Sequence, residues 1–254
     1  MSRFDDSQLA AYRQDGFLLA KRLFAEDEIE RLLQFARGDD VLVAGAYGRR
    51  DATGQETKLA VRNEPGDDLY GVYARSRRIV DRMEQVLEGE VYLYHLKMML
   101  KEPRVGGAWE WHQDYGYWYN FGCLYPLMAS CLIAVTRSTR ANGCLQVLRG
   151  SHLLGRIDHG KTGDQTGADM ERVEAALQHH ELVYVEAEPG DALFFDSNLL
   201  HRSDANRSDD PRWSLICCYN AARNTPYKAS KHAAYTPLSK LDDEAIRGWS
   251  AAGA

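Results

Sequence analysis

The chain has 254 residues, a net charge of −6 and an apolar fraction of 44%, values that are ordinary for a globular protein with a substantial core. The acidic balance and the scattered basic residues give no reason to expect nucleic acid as a partner. No apolar run is long enough to cross a bilayer, and the polar N-terminus is unlike a signal peptide. The five cysteines form no C-x-x-C pair, which is typical of buried thiols in a reducing compartment. We therefore expect a cytoplasmic protein without a membrane partner.

Helical periodicity marks the N-terminal part of the chain. Apolar residues recur at helical spacing over residues 7–12 and 26–35, and a further helix is predicted from about residue 77 to 87. Between them, residues 38–68 are mostly polar and rich in Gly, Asp and Arg, which predicts a long loop or lid.

Short β-favouring runs follow from residue 91 onward, and turn-prone groups such as Asn142-Gly143 and Pro189-Gly190-Asp191 separate several of them. Many short strands without intervening helices point to a double-sheet jelly roll. Residues 157–177 break the pattern and are interpreted as an insertion between strands. The predicted strands cover residues 91–100, 127–136, 144–148, 182–186, 192–195 and 213–219.

These elements predict one domain over residues 1–254 that is mainly β with flanking helices. A helical part of about residues 1–90 precedes a jelly-roll, cupin-like core of about residues 91–223.

Two histidines and an aspartate form the strongest chemical pattern in the chain. His112 and Asp114 lie two apart in a predicted strand and would project to one face, and His201 follows the end of another apolar strand. This set holds non-haem Fe(II) and leaves coordination positions open for a keto acid and O2. An H-x-[DE] pair alone is weak, since His179 and Glu181 form a second one in a polar stretch with no third ligand downstream. The context of the first pair therefore predicts an iron site.

Further side chains are candidates for holding a 2-oxoglutarate cosubstrate. Arg212 opens a predicted strand shortly after His201, and its planar guanidinium matches the far carboxylate of the keto acid. Ser203 is placed to donate a second hydrogen bond. Lys97 lies on the strand that precedes the first ligand pair, on a face that could point toward the cosubstrate.

Aromatic residues follow the first ligand pair directly. Tyr115, Tyr117 and Trp118 are candidates for lining a substrate pocket, and packing under a loop is an equally good interpretation. His95 lies in a tyrosine-rich strand and is predicted to be a hydrogen-bonded core histidine.

Several motifs resemble the phytanoyl-CoA dioxygenase family of Fe(II)/2-oxoglutarate oxygenases, which includes ectoine-hydroxylase-like enzymes. Residues 111–118, with the sequence WHQDYGYW, look like its first metal motif, and the NGCLQVLRGSH segment of residues 142–152 looks like its central motif. Residues 189–203 and then Arg212 resemble its distal motif. The resemblance runs from about residue 8 to 223, and three motifs in order make it specific.

The resemblance implies a double-stranded β-helix with helices packed on one side. It also implies that His112, Asp114 and His201 bind iron and that Arg212, with Ser203, binds 2-oxoglutarate. Related halogenases replace the carboxylate with a small residue, so the presence of Asp114 implies hydroxylation or another oxidation of an unactivated C–H bond. Succinate and CO2 would be the co-products, and a small molecule would be the substrate.

The residues alone are also compatible with two other classes of protein. One is a cupin-type metalloenzyme that does not use 2-oxoglutarate, which Arg212 and Ser203 argue against. The other is a non-catalytic small-molecule-binding jelly roll, which would be expected to have a damaged ligand set. Within the favoured class the substrate stays open among an acyl-CoA, an amino acid and a natural-product intermediate, and the oligomeric state is not predicted.

Overall fold

The computed structural model describes residues 3–40, 45–162 and 164–250. Its strands are β1 Phe17–Ala20, β2 Tyr47–Arg50, β3 Glu56–Arg62, β4 Val91–Lys101, β5 Trp109–His112, β6 Met128–Ala134, β7 Leu145–Leu148, β8 His159–Thr162, β9 Gln165–Ala168, β10 Leu182–Val185, β11 Ala192–Asp196, β12 His201–Ser203 and β13 Arg212–Ala221. Its helices are α1 Asp6–Asp15, α2 Glu26–Gly38, α3 Leu69–Arg75, α4 Arg77–Val86, α5 Asp114–Trp118, α6 Met170–His179 and α7 Asp243–Gly248.

Two antiparallel sheets form the core. The large sheet has the strand order β1-β11-β6-β13-β4-β3-β2, and the small sheet has the order β10-β7-β12-β5. Leu132, Phe195 and Ile216 of the large sheet share one buried apolar cluster with Val147 and Val185 of the small sheet. Neighbouring strands come from distant parts of the chain, as in a double-stranded β-helix. The predicted jelly-roll fold class is confirmed.

Helices cover the outer face of the large sheet. Ile79 and Met83 of α4 lie in a second buried cluster together with Leu215 and Cys217 of β13. Full burial of such a side chain contributes about 1.5–3 kcal/mol, so this layer holds the helices against the sheet. The helices predicted near residues 7–12, 26–35 and 77–87 are confirmed as α1, α2 and α4, whereas the short α3 was not predicted.

The prediction of a long loop over residues 38–68 was wrong, and residues 41–44 of that segment lie outside the described residues. β2 and β3 form a hairpin that extends the large sheet beyond β4. In β3 the buried Thr57 and Leu59 alternate with the exposed Glu56 and Lys58. A strand with one solvated face needs few apolar residues, which is why a polar segment still forms strands.

Residues 157–177 do form an insertion, but it is ordered around the β8–β9 hairpin and the start of α6; residue 163 lies outside the described residues. The side chain of Gln165 ties the hairpin to β5, since its amide nitrogen donates to the carbonyl of Ala108 and its oxygen accepts from the Glu110 N–H. The hairpin is thereby held beside the predicted metal ligands. Across the three described ranges, each helix is too short or too polar to span a bilayer.

Candidate metal centre

The three predicted ligand residues meet at one end of the small sheet. His112 ends β5, His201 opens β12, and the two lie directly opposite each other in the antiparallel pairing. One donor atom from each of His112, Asp114 and His201 lies within 4.8 Å of the others, and all three residues are buried. The strand geometry expected for Asp114 was wrong, because the chain turns at Gln113 and Asp114 begins α5. The turn nevertheless brings the carboxylate to the same point.

Hydrogen bonds set the tautomer of both imidazoles. His112 Nδ1 lies 2.7 Å from the carbonyl of Glu110, and His201 Nδ1 lies 2.9 Å from the carbonyl of Leu199. A carbonyl only accepts, so each Nδ1 carries the hydrogen and each Nε2 keeps a free lone pair. Burial lowers the pKa of both histidines, and for His112 the neighbouring His201 lowers the pKa further. Both are therefore neutral ligands, oriented as metal-binding histidines usually are.

The carboxylate of Asp114 is held through one of its two oxygens. Ser130 Oγ donates to Oδ2 at 3.0 Å, while Oδ1 lies 3.9 Å from His112 Nε2 and 4.0 Å from Lys97 Nζ. Burial alone would raise the pKa of Asp114, but Lys97 and then His201 outweigh it and hold the pKa below its usual value. An ionised carboxylate with one oriented and one free oxygen is suited to bind a cation.

Gln113, the residue between the first two ligands, fastens the surrounding loops. Its side-chain nitrogen donates to the carbonyls of Gly155 and Asn198 at 2.7 Å each, and its oxygen accepts from the Ile157 N–H. Asn198 belongs to the loop that leads into His201. The two halves of the ligand set are therefore held together by one fully bonded amide.

A small inner cavity lies beside the two histidines and ends at Arg212. It encloses about 30 Å³ and is also lined by Ser203 and Met99. Arg212 is buried, and its guanidinium makes no hydrogen bond or ion pair to a residue that the structure describes. Burial lowers the pKa of Arg212 to about 10, so the group is still cationic at neutral pH. A buried cation without a protein partner indicates that an anion binds there.

A second buried cation accompanies Arg212. Lys101 lies opposite Arg212 in the β4–β13 pairing and is completely buried. Its Nζ donates to Ser203 Oγ at 2.8 Å and to the carbonyl of Asp204. Burial, and next the charge of Arg212, lower the pKa of Lys101 well below its usual value. A bound carboxylate would act in the opposite direction and favour the ammonium form.

A larger outer cavity of about 460 Å³ opens on the other side of the ligands. Lys97, Trp109 and His112 line both cavities, so the metal ligands stand between them. The predicted pocket residues Tyr117 and Trp118 line the outer cavity. Its remaining walls are formed by Tyr47, Arg49, Leu59, Val61, Asn63, His95, Asp114, Phe121, Lys161, Asp164, Gln165, Thr166, Lys231 and His232.

Two interpretations of single residues need correction. Tyr115 does not line either cavity, because its hydroxyl donates to the carbonyls of Cys123 and Leu124 and the ring packs in the apolar cluster between the sheets. His95 is buried on the wall of the outer cavity, yet neither ring nitrogen makes a hydrogen bond to a described residue. It is therefore not the hydrogen-bonded core histidine that was expected.

Sequence reasoning missed Ser130, Gln113 and Lys101, each of which supports a predicted site residue. Ser130 and Lys101 had a detectable signal, since each is a polar residue within or at the end of an apolar strand. A buried strand position for such a residue indicates a fixed hydrogen-bond partner. Gln113 had no comparable signal.

Facing antiparallel sheets that hold a 2-His-1-carboxylate set beside open cavities define the class of this protein as a non-haem iron oxygenase. A family profile described as phytanoyl-CoA dioxygenase matches residues 12–214, and the chain belongs to this family. The family-level prediction from the motifs is confirmed, and with it the class of Fe(II)- and 2-oxoglutarate-dependent dioxygenases that use O2.

Similar proteins include an ectoine dioxygenase and a proline hydroxylase. The ectoine dioxygenase of Bordetella parapertussis is 27% identical, with 86% of this chain and 76% of the relative covered. The L-proline trans-4-hydroxylase of Streptomyces griseoviridis is 28% identical, with 85% and 86% covered.

Solved structures show the same fold. EctD from S. alaskensis, with 2-oxoglutarate and 5-hydroxyectoine, superposes with a TM-score of 0.78 at 22% identity over 94% of this chain and 88% of that chain. The epimerase SnoN, in complex with Fe3+, alpha ketoglutarate and nogalamycin RO, has a TM-score of 0.74 at 21% identity over 92% and 94%.

The donor set of this chain fits ferrous iron on its own chemistry. His112 and His201 each offer a neutral Nε2, and Asp114 offers a free Oδ1, from buried positions that are already oriented. Imidazole and carboxylate ligands suit a borderline divalent metal, and three of them leave positions for other molecules.

Proposed function

We propose that this chain hydroxylates, or otherwise oxidises, an unactivated C–H bond of a small-molecule substrate while 2-oxoglutarate is converted to succinate and CO2. The observation that carries the proposal is the position of three buried donor atoms between two cavities, one of which ends at the guanidinium of Arg212, a group that forms no ion pair with any described residue. A cupin-type enzyme that does not use a keto acid has no need of a buried cation at that place.

The ligands and the inner cavity have separate tasks in this proposal. His112, Asp114 and His201 would hold Fe(II), which together with the keto acid supplies O2 activation and C–H oxidation. Arg212 and Ser203 would bind the far carboxylate of 2-oxoglutarate. The cavity of about 30 Å³ has room for a small group such as this carboxylate. The rest of the keto acid would therefore extend past His112 toward the outer cavity.

The outer cavity would hold the substrate against the metal ligands. Trp109, Tyr117 and Trp118 provide flat apolar walls, and the Tyr117 hydroxyl donates to the carbonyl of Thr166 at 2.6 Å, which fixes the ring beneath the β8–β9 hairpin. These walls would orient one C–H bond and keep bulk water from the reacting atoms. Lys97, between the two cavities, would compensate the charge of Asp114.

Succinate release tests this function directly. Iron-loaded protein would be incubated aerobically with 2-oxoglutarate and a library of small metabolites, and succinate would be quantified together with the oxidised product. We expect one compound to raise succinate release and to gain an oxygen atom or lose two hydrogens in equal amount. A variant with His201→Ala serves as the control and should release none above background. Product formed without consumption of 2-oxoglutarate would instead support the cupin-type alternative.

A further inference from the structure

The charge of the outer cavity is unbalanced. Arg49, Lys161 and Lys231 lie at its exposed edge, and Lys97 lies deep within it beside Asp114. We call the first three residues the cationic rim. Asp164 is the other acidic side chain that lines this cavity within the described ranges. Because Asp114 already faces Lys97 and the metal position, the rim carries more positive than negative charge.

The rim residues come from three separate segments and have no carboxylate partner. Arg49 lies on β2, Lys161 on β8 and Lys231 in the chain after β13, and none forms an ion pair in the part of the chain that the structure describes. The guanidinium of Arg49 lies 5.3 Å from the ring centroid of Tyr47, and Lys231 Nζ lies 5.2 Å from that of Phe121. Aromatic contacts thus hold Arg49 and Lys231 at the edge without neutralising them.

A second observation points to a polar ligand in the same cavity. His95 is 5% exposed, lines the cavity, and makes no side-chain hydrogen bond to a described residue. Burial lowers its pKa well below the usual value, so the ring is neutral. A buried imidazole without a partner is costly unless another molecule supplies one.

We infer that the substrate is a small polar carboxylic acid. Its carboxylate is bound by the cationic rim, its second polar group contacts His95, and its hydrocarbon part lies between Trp109 and Trp118 beside the metal ligands. The volume of about 460 Å³ is at the small end of ligand pockets and suits a free acid rather than a coenzyme A thioester. This inference rests on the proposed function, because it names the substrate of the same site.

Paired compounds and rim variants test the inference. Succinate release would be measured with small amino and hydroxy acids, with their carboxamides and with their coenzyme A thioesters. We expect acids, and not the matching amides or thioesters, to stimulate release. For the best acid, Arg49→Ala and Lys161→Ala should each raise KM about threefold, and the double variant about tenfold, as expected for partly exposed ion pairs. Arg50→Ala is the matched control, since Arg50 is exposed on the same strand outside the cavity, and should leave KM unchanged.

The possible outcomes distinguish a failure of the substrate inference from a failure of the proposed function. Equal turnover of acids and amides, turnover of thioesters alone, or no stimulation by any acid would each overturn the substrate class. Anaerobic binding of 2-oxoglutarate would be measured on the same samples. Absence of that binding would overturn the proposed function itself, whereas intact binding would confine the failure to the substrate.

A different observation carries a second inference, which concerns Lys101. Lys101 is fully buried and donates to Ser203 Oγ at 2.8 Å, although it does not line the inner cavity. A carboxylate bound nearby favours the ammonium form of Lys101, which has donors and no acceptor, so Ser203 then accepts this bond and directs its own hydrogen elsewhere. Within the described residues the Ser203 hydroxyl donates to no acceptor. Its hydrogen is therefore free for a carboxylate beside Arg212.

We propose that Lys101 is a positioning residue that turns the Ser203 hydroxyl into a donor for the far carboxylate of 2-oxoglutarate. Its effect reaches the cosubstrate through Ser203 and through its charge. This second inference also rests on the proposed function, because it assumes that the keto acid binds in the inner cavity.

Anaerobic titration of the iron-loaded protein distinguishes this role from a merely structural one. We expect Lys101→Met to raise the Kd for 2-oxoglutarate about tenfold, the effect of a charge-supported hydrogen bond, and to leave the Kd for 2-oxopentanoate, which lacks the far carboxylate, unchanged. Ser203→Ala should behave in the same way, and the double variant should be little worse than either single variant. Ser203→Ala also keeps the test valid if Lys101→Met does not fold.

Equal weakening of both keto acids, or additive effects of the two substitutions, would show that Lys101 acts on the fold and would overturn the second inference. Unchanged 2-oxoglutarate binding in Lys101→Met alone would overturn this inference. If Arg212→Gln left the binding unchanged as well, the inner cavity would not be the cosubstrate site, and the proposed function would fail.

Discussion

Iron-loaded protein with Arg212→Gln is expected to bind 2-oxoglutarate about 100-fold more weakly than the unchanged protein, while iron affinity stays nearly the same. Removal of one partner of a buried ion pair is strongly destabilising for the complex, because the cosubstrate carboxylate is then buried without a counter-charge. Anaerobic titration that follows the visible charge-transfer band of the iron–keto acid complex measures the affinity.

The same substitution is expected to weaken cosubstrate binding without lowering the thermal stability of the protein. Without cosubstrate, the guanidinium of Arg212 is buried and has no hydrogen-bond or ionic partner in the described part of the chain. Its replacement by a neutral amide should therefore leave Tm unchanged or raise it. Arg207→Gln, at an exposed position in the preceding loop, is the control for both measurements. Unchanged 2-oxoglutarate affinity in Arg212→Gln would remove Arg212 from its proposed role.

Asp114→Ala is expected to abolish coupled turnover and to remove most of the iron affinity. The substitution takes away the one anionic donor of the set, so two neutral imidazoles are left to hold a divalent cation. The loss should exceed the roughly 10–100-fold that removal of an outer hydrogen-bonding partner of a ligand costs. Iron titration with metal analysis measures the affinity, and the rise in Tm on addition of iron should disappear with it.

Ser130→Ala provides the graded comparison for Asp114→Ala. Ser130 donates to Oδ2 and leaves Oδ1 in place, so its loss should weaken iron binding within the range of about 10–100-fold and spare the reaction itself. Normal product yield from Asp114→Ala would contradict the metal site, whatever the behaviour of Ser130→Ala.

Periodicity and motif order were sufficient to predict the central strands of this protein and the meeting of the two histidines. The apolar runs that became β4, β6, β11 and β13 were long enough to predict strands, because buried central strands must be apolar on both faces. Neighbouring strands in a jelly roll come from distant segments, so a histidine far downstream was expected to meet His112, and the structure places His201 opposite it.

The edge of the large sheet and the directions of the tyrosine rings could not be predicted from local sequence. The hairpin of β2 and β3 is polar because one face is solvated, and only its pairing with β4 makes it a strand. Tyr115 follows the ligand pair even more closely than Tyr117 does, yet the helical turn that begins at Asp114 directs the two rings to different sides.

The amino-acid sequence by itself indicated which residues are candidates to bind the metal and the keto acid, since the chemistry of imidazole, carboxylate and guanidinium groups belongs to the residue type and does not depend on the local structure. Only the tertiary structure decided which atoms are free to do so. Within the described residues, the Nε2 atoms of His112 and His201, Oδ1 of Asp114 and the guanidinium of Arg212 make no hydrogen bond, because backbone carbonyls bond the Nδ1 atoms, Ser130 bonds Oδ2 and Lys101 bonds Ser203. Those contacts join residues far apart along the chain and exist only once both sheets have formed.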